Sequence, residues 1–175
     1  MSGKYTTVPY GYEPPAASRK GTLTFYDSFE HVTDEQLERA AATVDTRSFI
    51  QLVLYPLHES TFKRMSKDTI QAYYKREDRL HDWRREHPTS RIRVEGLEGK
   101  RKKYTPVDSA LRHIIAEYPA PHFLYLTIEM ANMFASFESF KDWIKELRLI
   151  IDGSSEYLHP RLEQNRHRWE WANET

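Results

Sequence analysis

Two short apolar runs constrain the fold more than anything else in the chain: SFIQLVLYPL at 48–57 and PAPHFLYLT at 119–127. Both are rich in β-branched, aromatic and other apolar residues, and both are short. The first stops at Pro56 and the second at Thr127, a residue suited to capping a following helix. Runs of this length and composition read as strands buried inside a sheet. A proline-kinked helix is the alternative for the first.

The segments around them show other periods. TLTFYDSF at 22–29 places Leu23, Phe25 and Asp27 on one face of a strand. Thr33 followed by Gln36 has capping-box spacing, which predicts a helix from Asp34 to about Thr43. HESTFKRM reads as one or two helical turns. Ser66 is placed to cap a long helix, KDTIQAYYKREDRLHDWRREH, with Ile70, Tyr73, Leu80 and Trp83 near one stripe, Tyr74 beside it and Glu77 interrupting it. Pro88 ends that helix. Thr105-Pro106 opens another, with Leu111, Ile114, Ile115 and Tyr118 on its buried face. FESFKDWIKELRLIID reads as an amphipathic helix, although one broken helix over 122–151 fits the same periodicity. HPRLEQNRHRWEWANET reads as a helical tail with Leu162 and Trp169 on one side.

Strands alternating with helices predict an α+β domain, a mixed β-sheet of three to five strands with helices packed on it. A mostly α-helical bundle is the alternative. The expected organisation is an irregular arm over 1–20, a single globular domain over 21–152 and a packed tail over 153–175. Pro9, Pro14, Pro15 and three tyrosines (Tyr5, Tyr10, Tyr12) mark the arm.

The chain has no cysteine, so disulfides and thiolate metal sites are excluded. It has no run of about 20 apolar residues, and its first residues lack the apolar stretch of a signal peptide. A cytoplasmic protein without a membrane partner is expected. Its neutrality conceals an asymmetry. Residues 61–104 hold 14 Lys and Arg against 7 Asp and Glu, while the remainder holds 12 against 19.

That excess culminates in SRIRVEGLEGKRKKYTP at 90–106. RIRVE and KRKKY flank a glycine-bounded turn, which predicts a β-hairpin with a basic outer face. Arg91, Arg93, Lys100, Arg101, Lys102 and Lys103 would meet the anionic surface of a protein or nucleic acid, with Tyr104 stacking on a base. GLEG followed by Lys100 also resembles the GXXG loop of RNA-binding KH domains, but that loop joins two helices and these flanks read as strands. Lysines on an edge strand that block unwanted pairing, or neutralisation by the chain's own acidic half, explain the same charge without a ligand.

The histidines suggest a rival chemistry. His58, then His81-Asp82, then Asp108 or Asp142, resembles the H…HD…D order of the HD superfamily of metal-dependent phosphohydrolases. The resemblance covers four residues and implies a divalent metal that activates water. HD domains are all-helical, whereas His58 follows an apparent strand. Glu129 is the carboxylate most embedded in apolar sequence, and the first turn of a helix capped by Thr127 accounts for it. Glycine-rich phosphate loops and a nucleophile elbow are both absent, and no cofactor is expected. The leading expectation is a non-enzymatic binding or regulatory module acting through 91–104. The alternatives are the phosphohydrolase and a structural subunit that assembles into homo-oligomers.

Overall fold

Each strand is joined to the next through helix, and every paired strand runs parallel. The computed structural model describes residues 18–88, 91–154 and 157–174. Its strands are β1 (Thr22–Asp27), β2 (Gln51–Pro56), β3 (Ile92–Val94), β4 (His122–Thr127), β5 (Arg148–Asp152) and β6 (Trp169–Trp171). They form one sheet in the order β3-β2-β1-β4-β5-β6. The register sets Asp27 beside Pro56, Thr22 beside His122 and Thr127 beside Asp152. This is the strand order of a doubly wound α/β fold.

Helices cover both faces. α1 (Asp34–Thr46) and α3 (Tyr73–Arg85) lie on one face, where Leu37, Ala40, Val44, Leu80 and Trp83 meet Leu23, Phe25, Leu52 and Leu54. On the other face, α5 (Val107–Glu117), α6 (Ile128–Ser136), α7 (Phe140–Glu146) and α8 (Pro160–Gln164) pack on Tyr26, Val53, Tyr55, Leu124, Leu126 and Leu149. Two short helices, α2 (Glu59–Phe62) and α4 (Leu97–Arg101), sit in the connections. Among the described residues no helix is long and apolar enough to cross a membrane.

The expected mixed sheet of three to five strands is therefore corrected to six parallel strands, and the helical bundle is excluded. The missing strands were concealed by burial. Leu149, Ile150 and Ile151 are all buried because both faces of β5 are covered. The strand then shows a continuous apolar run, which merges with the periodicity of α7. β6 lies inside the stretch read as a helical tail, where Leu162 and Trp169 do share a cluster but on different elements.

The basic hairpin is also corrected. RIRVE supplies β3, which among the described residues pairs with β2 alone, but GLEGKR turns into α4 and residues 100–104 form no return strand. The Glu95 side chain accepts from the Leu97 N–H at 3.0 Å and starts that helix. Gly99 lies so close to the Tyr73 ring that a Cβ would fall 2.5 Å from it. The second glycine thus serves close packing rather than a hairpin turn.

Smaller expectations fare variously. The Thr33–Gln36 capping box is formed as read. Ser66 caps a turn at Asp68, and the long helix starts seven residues later. Residues 1–17 of the expected arm lie outside the described residues. Arg19 does not behave as an arm: it is buried and donates to the carbonyls of Val44 and Phe49.

Candidate functional site

In a doubly wound sheet the connections after β1 and after the strand beside it leave for opposite faces, and a crevice opens at the carboxyl ends of the two strands. Here those strands are β1 and β4, which end at Asp27 and Thr127. A cleft of about 710 Å³ opens at that point, within the range of small-molecule sites. Asp27, Ser28 and Thr127 line it from the sheet. α1 and its preceding loop contribute His31, Glu35, Gln36 and Arg39. Glu129, Met130 and Met133 come from α6, and Phe62, Met65 and Asp68 from the segment after β2.

Asp27 lines this cleft from the end of β1. Its side chain is 7% exposed. Oδ1 accepts from the Phe29 N–H at 2.9 Å and from the Ser28 hydroxyl at 3.4 Å, and Oδ2 faces the Thr127 hydroxyl at 3.4 Å. Burial pushes the carboxyl pKa up to about 6, against the pull of those hydrogen bonds. The loop is held in an uncommon conformation: Phe29, itself buried, has φ +65°. Ser28 Oγ accepts from the Glu30 N–H at 3.2 Å, so the loop's own side chains shape it.

Two buried charges outside the cleft fix its walls. Asp152, at the end of β5, takes the Arg39 guanidinium with both oxygens, at 2.9 and 3.1 Å, and accepts from the Tyr125 hydroxyl at 2.5 Å. Arg39 is thereby aimed at the cleft with its charge already paired, and the pair holds its pKa above the usual arginine value. Arg76 of α3, 2% exposed, donates from Nη1 to the carbonyls of Ser28 and Leu57 at 2.7 and 2.6 Å. It also reaches Glu59 at 3.2 Å. One guanidinium thus ties the loop after β1 to the loop after β2, and desolvation lowers its pKa.

The segment read as a partner site lies elsewhere. Arg93, Lys100, Arg101, Lys102 and Lys103 are exposed and Arg91 is half-buried. Arg101 donates to the Thr105 hydroxyl at 2.9 Å. Tyr104 is covered by the Arg64 guanidinium, 4.0 Å from the ring centroid, so that face is occupied by the chain's own cation. Four cations follow one another from the last turn of α4, where positive charge suits the helix dipole.

The inward member of this segment is an acid. Glu98 is fully buried and accepts from the Tyr55 hydroxyl at 2.7 Å, the Thr61 hydroxyl at 2.7 Å and the His58 N–H at 2.9 Å. Burial raises its pKa, and those donors draw it back. Thr61 Oγ1 in turn accepts from the Thr105 N–H at 2.9 Å. The knot joins β2, α2, α4 and the start of α5.

His58 and Asp82 are engaged separately, and His81 lies with Asp82 on α3. His58 Nδ1 accepts from the Ser60 N–H at the start of α2. Asp82 pairs with Arg85 along α3. Among the described residues no group of three or more His, Asp or Glu side chains is arranged to hold a metal ion. Glu129 takes the place expected of it, exposed in the first turn of α6, whose Met130 N–H is capped by the Thr127 hydroxyl at 3.2 Å.

Reading the sequence singled out neither Asp27 as a site nor Arg39, Arg76 and Glu98 at all. One local signal was available: an acid ends an apolar strand and a capped helix follows six residues on. Comparison with protein-family models and with curated protein sequences gave no match.

Proposed function

We propose that the chain is a small-molecule-binding module whose site is the cleft between the ends of β1 and β4. The observation that supports this most is Asp27. A carboxyl group buried at the floor of a cleft, with a pKa near neutrality and a backbone held in an uncommon conformation beside it, is an arrangement that folds retain for ligands. The walls fit the reading. Three of the chain's four methionines line the cleft, and methionine adapts its shape to apolar ligands. The cysteine-free composition is the reason for keeping the cytoplasm as its proposed compartment.

Methyl NMR of methionine-labelled protein tests the reading. A library of small charged and polar fragments is expected to yield binders that shift Met65, Met130 and Met133 together. Met133→Trp, which puts a larger side chain on the α6 wall of the cleft, is expected to abolish the shifts of Met65 and Met130 while leaving the circular dichroism unchanged. Binders that leave all three methyls unmoved, or that survive the substitution, would count against this site.

A second reading rests on the four consecutive exposed cations, Lys100 to Lys103. They supply a contact for an anionic protein or nucleic-acid surface. Binding of heparin or single-stranded DNA should then weaken steeply with salt and vanish when all four are changed to Glu. Binding that is absent in the parent at low salt would leave these residues as a solvated helix end.

A further inference from the structure

A doubly wound sheet ordinarily holds a phosphate at its switch point, on the N–H groups of the first βα turn and the helix that follows. In this chain several of those donors are already paired internally. The Phe29 N–H donates to Asp27 and the Glu30 N–H to Ser28 Oγ. The Thr33 N–H donates to Gln36 Oε1, and the Gln36 N–H to Thr33 Oγ1. At the facing helix the Met130 N–H donates to Thr127 Oγ1. The Asp27 carboxylate, in short, occupies the place that the turn would offer to an anion.

Charge in the cleft points the same way. Asp27, Glu35, Asp68 and Glu129 line it against a single guanidinium, Arg39, which is already spanned by both oxygens of Asp152. An arriving phosphate meets carboxylates and no unpaired cation. An arriving cation meets Asp27, whose Oδ2 accepts a long contact from the Thr127 hydroxyl, at 3.4 Å. The same cleft is lined by the Met65, Met130 and Met133 side chains and by Phe62. A cleft lined by both apolar side chains and carboxylates matches a ligand that carries an apolar body and a positive group.

We propose, on the reading of the cleft as a ligand site, that its ligand is a protonated organic amine, with the ammonium against Asp27 and the apolar body against the three methionines. Recognition then depends on Asp27 being ionised. The titratable and charged groups facing it are His31, Glu35 and Arg39 from α1 and its loop, Asp68 from the segment after β2, and Glu129 from α6. With the Asp27 pKa at about 6, about ten-fold weaker binding is expected at pH 5 than at pH 7.5.

Three probes that differ in charge test this: 2-phenylethylamine, 2-phenylethanol and phenyl phosphate, each titrated into the full chain while the methionine methyls are followed. The amine is expected to shift Met65, Met130 and Met133 and to bind at least ten-fold more tightly than the alcohol, and phenyl phosphate is expected to leave all three unmoved. Asp27→Asn is expected to erase the ten-fold advantage of the amine while the alcohol still binds, which shows that the variant is folded. If phenyl phosphate or the alcohol equals the amine at the same methyls, the cleft remains a ligand site and the amine assignment falls. If the amine keeps its advantage in Asp27→Asn, the assignment of Asp27 as its anchor falls. If no probe moves the methyls, the reading of the cleft as a site falls with it.

Discussion

Glu98→Ala is expected to lower the stability of the fold by about 4 kcal/mol, a large effect for one residue. The substitution deletes the acceptor shared by the Tyr55 and Thr61 hydroxyls, both fully buried, and by the partly buried His58 N–H. Each donor left unsatisfied costs about 1–3 kcal/mol, and the emptied side-chain space adds to the loss. Because the knot joins four elements, the loss falls on the whole cooperative unit, and a drop in melting temperature on the order of 10 °C follows. Glu98→Gln keeps the volume and one acceptor oxygen, so about half that loss is expected. Urea denaturation of the three proteins checks the order. An alanine variant within 1 kcal/mol of the parent would show that the knot is replaced by solvent and does not hold the fold.

Asp27→Asn is expected to move stability the other way. The folded-state pKa of Asp27 stands near 6, above the ordinary 3.8 of an aspartate. Between those values the folded chain binds more protons at this position than the unfolded chain does. Stability of the parent therefore falls as pH rises from about 4 to about 6, and the loss persists above. A difference of about two pKa units corresponds to roughly 3 kcal/mol at most. Asparagine keeps an oxygen for the Phe29 N–H without the buried charge, so a gain of about 2 kcal/mol is expected at pH 8 and almost none at pH 4. Denaturation curves at the two pH values decide it. A variant less stable than the parent at pH 8 would mean that the ionised carboxylate is stabilising where it lies. A position where the native residue lowers stability and its replacement erases the preference for the amine is one kept for function.

These two residues also show what a single sequence carries and what it conceals. Thr33 and Gln36 were legible because a capping box is a local interaction, formed between residues three apart. Thr127 was legible as a cap for the same reason. β1, β2 and β4 were legible from their composition and length. β5 was not, because it follows α7 after Leu147 alone and its apolar residues continue the periodicity of that helix. Strand order lay beyond reach altogether: β1 pairs with β4 through Thr22 and His122, a hundred residues apart, and nothing local encodes that pairing. The site inherits this difficulty. Asp27 meets Thr127 only because those strands are neighbours, and Arg39 meets Asp152 across a separation of 113 residues. Glu98 was concealed differently. Its flanking glycines and the cations after it suggested a solvated turn, but the glycine at 99 makes room for Tyr73 and the acid points inward.

The most direct test of the cleft as a ligand site centred on a buried, ionisable Asp27 is a carboxyl ¹³C NMR titration of Asp27 in the full chain, run alone and with saturating 2-phenylethylamine. Alone, a midpoint near pH 6 is expected. With the amine the midpoint should fall by at least one unit, because a bound cation favours the ionised form. A midpoint near 3.8 in both samples would contradict the burial and poise assigned to this carboxylate.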